Sequence, residues 1–155
     1  MAIQKNECVE FAMLSERVYR TFLELIKHEL DSAGIIDISP IQAAVLLNID
    51  NNTITMSEVI SRGYYMGSNA SYNLKKMINN GYINQLQSDY DKRTSFLKLT
   101  NKGRNLLDSL QSKISGHAKS LESNIKEKMN LYKLNNCLKN VNNYWKNIID
   151  MGHRI

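Results

Sequence analysis

Between residues 53 and 100 the helix-starting and helix-stopping residues fall so close together that only short elements fit between them. Thr55-Met56-Ser57-Glu58 reads as a capping box, with Thr55 at the N-cap and Glu58 three residues on. The helix it opens spans only residues 56–61 before Gly63 ends it. Tyr64-Tyr65-Met66-Gly67 is a turn, Ser68 caps a second helix running to about Asn80, and Gly81 stops that one. Two short helices joined by a glycine-bearing turn make a helix-turn-helix pattern. Residues 83–87 follow, then the polar tip Ser88-Asp89-Tyr90-Asp91-Lys92-Arg93-Thr94, then residues 95–99, which alternate around Phe96, Leu97 and Leu99 as a strand does. A hairpin directly after a helix-turn-helix is a wing.

The segments around this centre read as longer helices. Residues 6–33 carry one apolar stripe through Phe11, Leu14, Val18, Phe22 and Leu25, and a second through Ala12, Tyr19, Leu23, Ile26 and Leu30. A terminal helix apolar on two sides is covered most economically by a partner subunit. Gly34 ends it as a C′ residue. Ser39-Pro40 opens the next helix, whose apolar face is Ile41, Ala44, Val45 and Leu47, and Asp50-Asn51-Asn52 stops it before the short extended piece Thr53-Ile54-Thr55. Thr100 caps a long helix to about Lys126, and Leu131, Leu134, Leu138, Val141, Trp145 and Ile148 stripe a last one. The expected fold is mainly α with a small β-hairpin. Residues 39–103 would form a winged helix-turn-helix lobe, and residues 1–38 and 104–155 a helical layer that packs with a second copy across a two-fold axis.

Charge is concentrated where the short elements are. Residues 53–104 carry eight Lys/Arg against three Asp/Glu, a net of +5, whereas residues 1–52 hold −4 and residues 105–155 hold +4. The chain's formal +5 is therefore the charge of one lobe, which points to a polyanion partner as well as to an unevenly charged surface. No apolar run approaches the roughly 20 residues of a membrane span, and residues 1–7 lack the pattern of a secretory leader, so a cytoplasmic location and no membrane partner are expected. Cys8 and Cys137 are too few for a disulfide scaffold. His28, His117 and His153 have no ligand-spaced neighbours, so no metal site is expected. The chain holds no nucleophile elbow, Walker loop or dinucleotide fingerprint, and neither a catalytic residue nor a cofactor is expected.

On a helical wheel the second short helix turns Ala70, Leu74, Met77 and Ile78 to one side and Ser68, Asn69, Tyr72, Lys75, Lys76 and Asn79 to the other, with Ser71 and Asn73 on the flanks. The outer face carries amide, hydroxyl, phenol and ammonium groups and no carboxylate. Such groups donate to phosphate oxygens and read base edges, where an acid would repel the backbone. At the hairpin tip Asp91 and Arg93 lie two apart, so the aspartate can hold the guanidinium in a pose that enters a minor groove. Two alternatives stand beside double-stranded DNA: a plain solvated surface, and a winged helix that docks a protein. A docking helix would show exposed apolar anchors, which this face lacks.

Asp91-Lys92-Arg93 followed by Leu97-Lys98-Leu99-Thr100-Asn101-Lys102-Gly103 resembles the D-x-R…L-T-x-x-G signature of the MarR family of dimeric winged-helix transcriptional regulators. The order of elements along nearly the whole chain agrees with it. Residues 62–76, from Arg62-Gly63-Tyr64-Tyr65 through Lys75-Lys76, further resemble the LdtR-type subgroup, regulators linked to L,D-transpeptidase and cell-wall remodelling. The resemblance implies a homodimer on a near-palindromic operator. It puts Ser68, Asn69, Ser71, Tyr72, Lys75 and Lys76 in the major groove and Lys92 and Arg93 at the wing. Many members have arginine where Lys92 stands; lysine keeps the charge without the bidentate geometry, so a phosphate contact is expected there. A small-molecule effector is a further implied partner, with its pocket residues unassigned. Some members sense peroxide through a cysteine near the start of the first helix, close to the place of Cys8. Glu7 and Glu10 flank Cys8 and oppose a reactive thiolate, which favours a packing role at the dimer interface.

Overall fold

Helix ends decide the layout of this chain, and the caps read at Ser39, Thr55 and Thr100 are formed, while the Ser68 side chain and Gly63 lie outside what is described. The computed structural model describes residues 3–49, 53–61, 68–87, 94–124 and 130–152. Along the chain run α1 (Ile3–Ser32), α2 (Pro40–Ile49), β1 (Ile54–Thr55), α3 (Met56–Ser61), α4 (Ser68–Asn79), β2 (Ile83–Gln87), β3 (Ser95–Leu99), α5 (Asn101–Asn124) and α6 (Leu131–Gly152). α1 stops at Gly34, whose φ is +66°. The Gly34 amide donates to Asp31 O at 3.0 Å and the Ile35 amide to Leu30 O at 3.0 Å, the reversal that left-handed glycine permits. α3 opens on the expected box: the Thr55 amide donates to Glu58 Oε2 at 2.8 Å, and the Glu58 amide to Thr55 Oγ1 at 3.1 Å.

The chain divides into two compact units, Met1–Ile114 and Ser115–Ile155. In the first, the sheet runs in the order β1-β3-β2, antiparallel throughout. The short extended piece before α3 thus becomes a third strand, pairing Ile54 with Leu97 and Thr55 with Phe96. β2 pairs with β3 from Ile83 opposite Leu99 to Gln87 opposite Ser95. Leu97 and Leu99 point from the sheet into a core completed by Ala43, Val45 and Leu46 of α2, Leu74 and Met77 of α4, and Leu107 and Leu110 of α5. α1 joins this core through its last third, where Ile26 and Leu30 are buried and Phe22 and Leu23 pack alongside; Val9, Met13, Leu14, Val18 and Tyr19 are exposed.

α2 differs from its expected face. Ala43, Ala44, Val45, Leu46 and Ile49 are buried, while Ile41 is exposed and Leu47 only half-buried. The helix packs against α1, α3, α4 and β3, so most of its circumference is covered and a one-sided stripe does not describe it. The start of α5 shows why a glycine stands there. Thr100 caps the helix, accepting the Gly103 amide at 3.1 Å on Oγ1 and donating from that hydroxyl to Gly81 O at 2.6 Å. This presses the first turn of α5 onto the corner after α4. A Cβ at Gly103 would lie 2.1 Å from the Tyr82 carbonyl oxygen, so no other residue fits without backbone movement.

In the second unit, α6 begins at Asn130, whose Oδ1 accepts the Lys133 amide at 2.9 Å. None of the α6 residues is buried. No helix among the described residues is long and apolar enough to cross a membrane.

Candidate nucleic-acid interface

The twelve residues of α4 separate cleanly by burial. Ala70, Leu74 and Met77 are fully buried and Ile78 packs against the same core. Asn69, Ser71, Tyr72, Lys75, Lys76 and Asn79 are exposed, Tyr72 at 66 %. The backbone of Ser68 opens the helix. Six of the eight residues named from the sequence thus lie on one helix, and the five whose side chains are described are all open to solvent. Lys92 and Arg93, with the rest of the hairpin tip, fall outside the described residues. The strands that carry the tip are described: Asn84, Gln85 and Gln87 are exposed on β2, and Gln85 Nε2 donates to Ser95 Oγ across the hairpin at 3.0 Å.

Side-chain bonds from Gln42, Asp37 and Lys102 hold α4 and the corner after it from below, and the sequence reading missed all of them. Gln42 is the one buried polar side chain among the described residues, 2 % exposed. Its Oε1 accepts the Ser39 amide at 3.0 Å, completing a capping box at the start of α2, and its Nε2 donates to Asn73 Oδ1 on α4 at 2.9 Å. Asn73 in turn donates to Asn69 O at 2.8 Å, bonding back along the first turns of α4. At the other end, Gly81 takes a φ of +74° and the Tyr82 amide donates to Met77 O at 3.0 Å, ending the helix. There Asn80 Nδ2 donates to the Asp37 carbonyl. The Asp37 carboxylate accepts the Tyr82 hydroxyl at 2.5 Å and Lys102 Nζ at 2.5 Å. Lys102 also donates to Asn80 O at 2.9 Å and lies 4.2 Å from the centroid of the Tyr82 ring.

These bonds set the electrostatics of the corner. Lys102 and then Tyr82 donate to Asp37 and hold its carboxyl below the usual carboxylate range. Burial, followed by the bond to Asp37, pushes the Tyr82 phenol well above its ordinary value. One signal for Gln42 was available, since Ser39-Pro40-Ile41-Gln42 has the spacing of a capping box. No local pattern announces Asp37 with Lys102, because the partners stand 65 residues apart.

No group of three metal-ligating side chains occurs among the described residues. Cys8 and Cys137 are both free and exposed.

A winged helix DNA-binding domain model matches residues 38–103. The chain is 35% identical over 143 residues to the exopolysaccharide II synthesis transcriptional activator ExpG of Rhizobium meliloti (strain 1021), covering 92% of this chain and 74% of ExpG. A MarR transcriptional regulator from Methanosarcina mazei Go1 superposes with a TM-score of 0.71 at 18% identity, over 92% of this chain and 99% of that one. A cysteine mutant of MarR from E. coli, solved in complex with operator DNA, superposes with a TM-score of 0.65 at 22% identity, over 88% and 96% of the two chains. The lobe, the helix order and the relative at 35% identity agree: this chain belongs with ExpG to the winged-helix transcriptional regulators, which are not enzymes, and it has the fold of the MarR regulators.

Proposed function

We propose that the protein is a cytoplasmic regulator that binds a near-palindromic operator as a homodimer, each protomer laying α4 in a major groove. The observation that carries the reading is the outer face of α4: Asn69, Ser71, Tyr72, Lys75 and Lys76 are exposed together, and the helix contains no carboxylate. Ser68 stands at its N-terminus, where free amides favour a phosphate. Lys92 and Arg93 serve the adjacent backbone and minor groove. Residues 39–103 are the DNA-binding lobe, and residues 1–38 and 104–155 the dimer layer. The exposed apolar residues of α1 and α6 support that layer, since such stripes require a partner.

A small-molecule effector acts by preferring one spacing of the two lobes over another. An open hollow of about 720 Å³ bordered by Ile35, Ile36, Asp37, Tyr82 and Leu106 offers room for one. Selection of bound duplexes from a random or genomic library tests the whole reading. The expected product is a pair of inverted half-sites about one helical turn apart, bound with an affinity that falls steeply with salt. Binding that ignores salt would turn the reading toward an apolar protein contact.

A further inference from the structure

The bonds beneath α4 converge on one short piece of chain. Residues 37–42 run from the α1–α2 connection into the first turn of α2, and they grip α4 at two separated points. Gln42 holds the middle of the helix through Asn73. Asp37 holds the segment just past its C-terminal end, through Asn80 to its carbonyl and Tyr82 to its carboxylate. Lys102 braces that carboxylate from α5. Neither residue lies on the outer face of α4, and two grips on a helix of twelve residues fix its tilt as well as its height.

We propose that Asp37 and Gln42 are positioning residues for base recognition, setting the pose of α4 and so the sequence discrimination of the protein. This rests on the reading that α4 enters the major groove. The physical basis is the different tolerance of the two kinds of DNA contact. Attraction of Lys75 and Lys76 to phosphates changes slowly with distance and supplies affinity for any sequence. Hydrogen bonds from side chains such as Asn69 and Tyr72 to base edges weaken steeply with a few tenths of an ångström or a modest tilt. A loosened α4 therefore keeps general affinity and loses selectivity. Gln42 suits the task because both ends of its amide are used: it completes the α2 cap and bonds α4, so it cannot release one without turning from the other.

The test compares full-length wild type, Gln42→Met, Asp37→Asn and Tyr82→Phe. Each is titrated with the library-selected duplex and with a scrambled duplex of equal length, at two salt concentrations. Thermal melts run alongside to report folding. Tyr82→Phe removes only the hydroxyl that meets Asp37, and it keeps the test usable if the other variants melt early. The expected result is a loss of about tenfold on the selected duplex, the scale of one base reader. Change on the scrambled duplex stays under about threefold, with an unaltered salt slope, because the phosphate contacts are the same in number. Equal losses on both duplexes, or undiminished discrimination in all three folded variants, overturns the positioning role while leaving DNA recognition by α4 intact. A wild type that prefers no sequence overturns the inference together with the reading beneath it.

Discussion

α4 and α6 are both amphipathic, yet they stand in opposite situations. α4, twelve residues long, buries Ala70, Leu74 and Met77 completely inside the first unit. α6, twenty-two residues long, buries nothing, and leaves Tyr132, Leu138, Tyr144, Ile148, Ile149 and Met151 exposed. A helix whose apolar side is covered locally has only its polar side left to present, which is what a reader of DNA needs. A helix with its apolar side open has packing still to gain, because most helical stability comes from packing. The same contrast divides α1, buried at Ile26 and Leu30 and exposed at Val9, Met13, Leu14, Val18 and Tyr19. The chain therefore carries a finished lobe and helical faces left open, and substitutions in the two should fail in different ways.

The largest difference is expected between two glycines of α5. Gly103 lies where the helix meets the lobe, and a Cβ there would approach the Tyr82 carbonyl oxygen to 2.1 Å. Gly103→Ala must displace backbone, at a cost of about 3 kcal/mol. That corresponds to a fall in Tm of roughly 6–12 °C for a chain of this size. Gly116 has no atom within 4 Å of the same position. Gly116→Ala should stabilise the helix by up to about 1 kcal/mol, through propensity alone. Calorimetry of the two variants reads both signs; a neutral Gly103→Ala would mean that α5 does not rest on the lobe as described.

Charges placed on α6 test the open face. Leu138→Glu with Ile148→Glu should weaken self-association by roughly 2 kcal/mol or more, about 30-fold in Kd, as loss of a central apolar contact does. Sedimentation should show monomers that keep the helical signal of the lobe. If the double variant remains as associated as the wild type, α6 is not part of the self-contact.

Smaller and more selective effects are expected on the finished side. Lys75→Ala and Lys76→Ala should each lower affinity on every duplex and reduce the magnitude of the salt slope by about 1. Arg93→Ala should weaken operator binding without changing sedimentation. Tyr72→Ala should shift sequence preference more than general affinity. Fluorescence anisotropy at several salt concentrations separates these outcomes, and an unaltered salt slope in both lysine variants would remove α4 from the phosphate backbone.

How far the sequence carried this picture follows from the range of the interactions involved. The Thr55–Glu58 box, the Gly34 and Gly81 stops and the Thr100 cap are local, and each forms where its residues stand. The inner face of α4 was legible too, because a helix covered on one side keeps a one-sided pattern. α2 was only half legible: packed by four elements, it has no single stripe to find, which is why Ile41 was misplaced and Leu46 passed over. The contacts beneath α4 were illegible for a different reason. Gln42 meets Asn73 from 31 positions away and Asp37 meets Tyr82 from 45, and no periodicity encodes such pairs. The glycine in L-T-x-x-G could be matched as a motif, but its cause, the Tyr82 carbonyl, is visible only in three dimensions.

The finest test separates two kinds of ion pair within the first unit. Lys27–Asp31 is a one-turn pair on α1 with both side chains more than half exposed, and Asp31→Asn should change stability by under about 0.5 kcal/mol. Lys102–Asp37 links distant segments, and its carboxylate also accepts the Tyr82 hydroxyl. Those donors lower the Asp37 pKa in the folded state, with Lys102 the larger cause. A lowered carboxylate contributes stability that is present above its unfolded value, near 4. That contribution is lost as pH falls through the lower, folded value. The advantage of wild type over Asp37→Asn should therefore be constant from neutral pH down to about 5 and shrink below about 4. Urea melts from pH 7 to pH 3 provide the comparison. If the Asp37→Asn difference stayed flat to pH 3, the carboxylate would act there by shape and hydrogen bonding, and its charge would contribute nothing to holding the corner beneath α4.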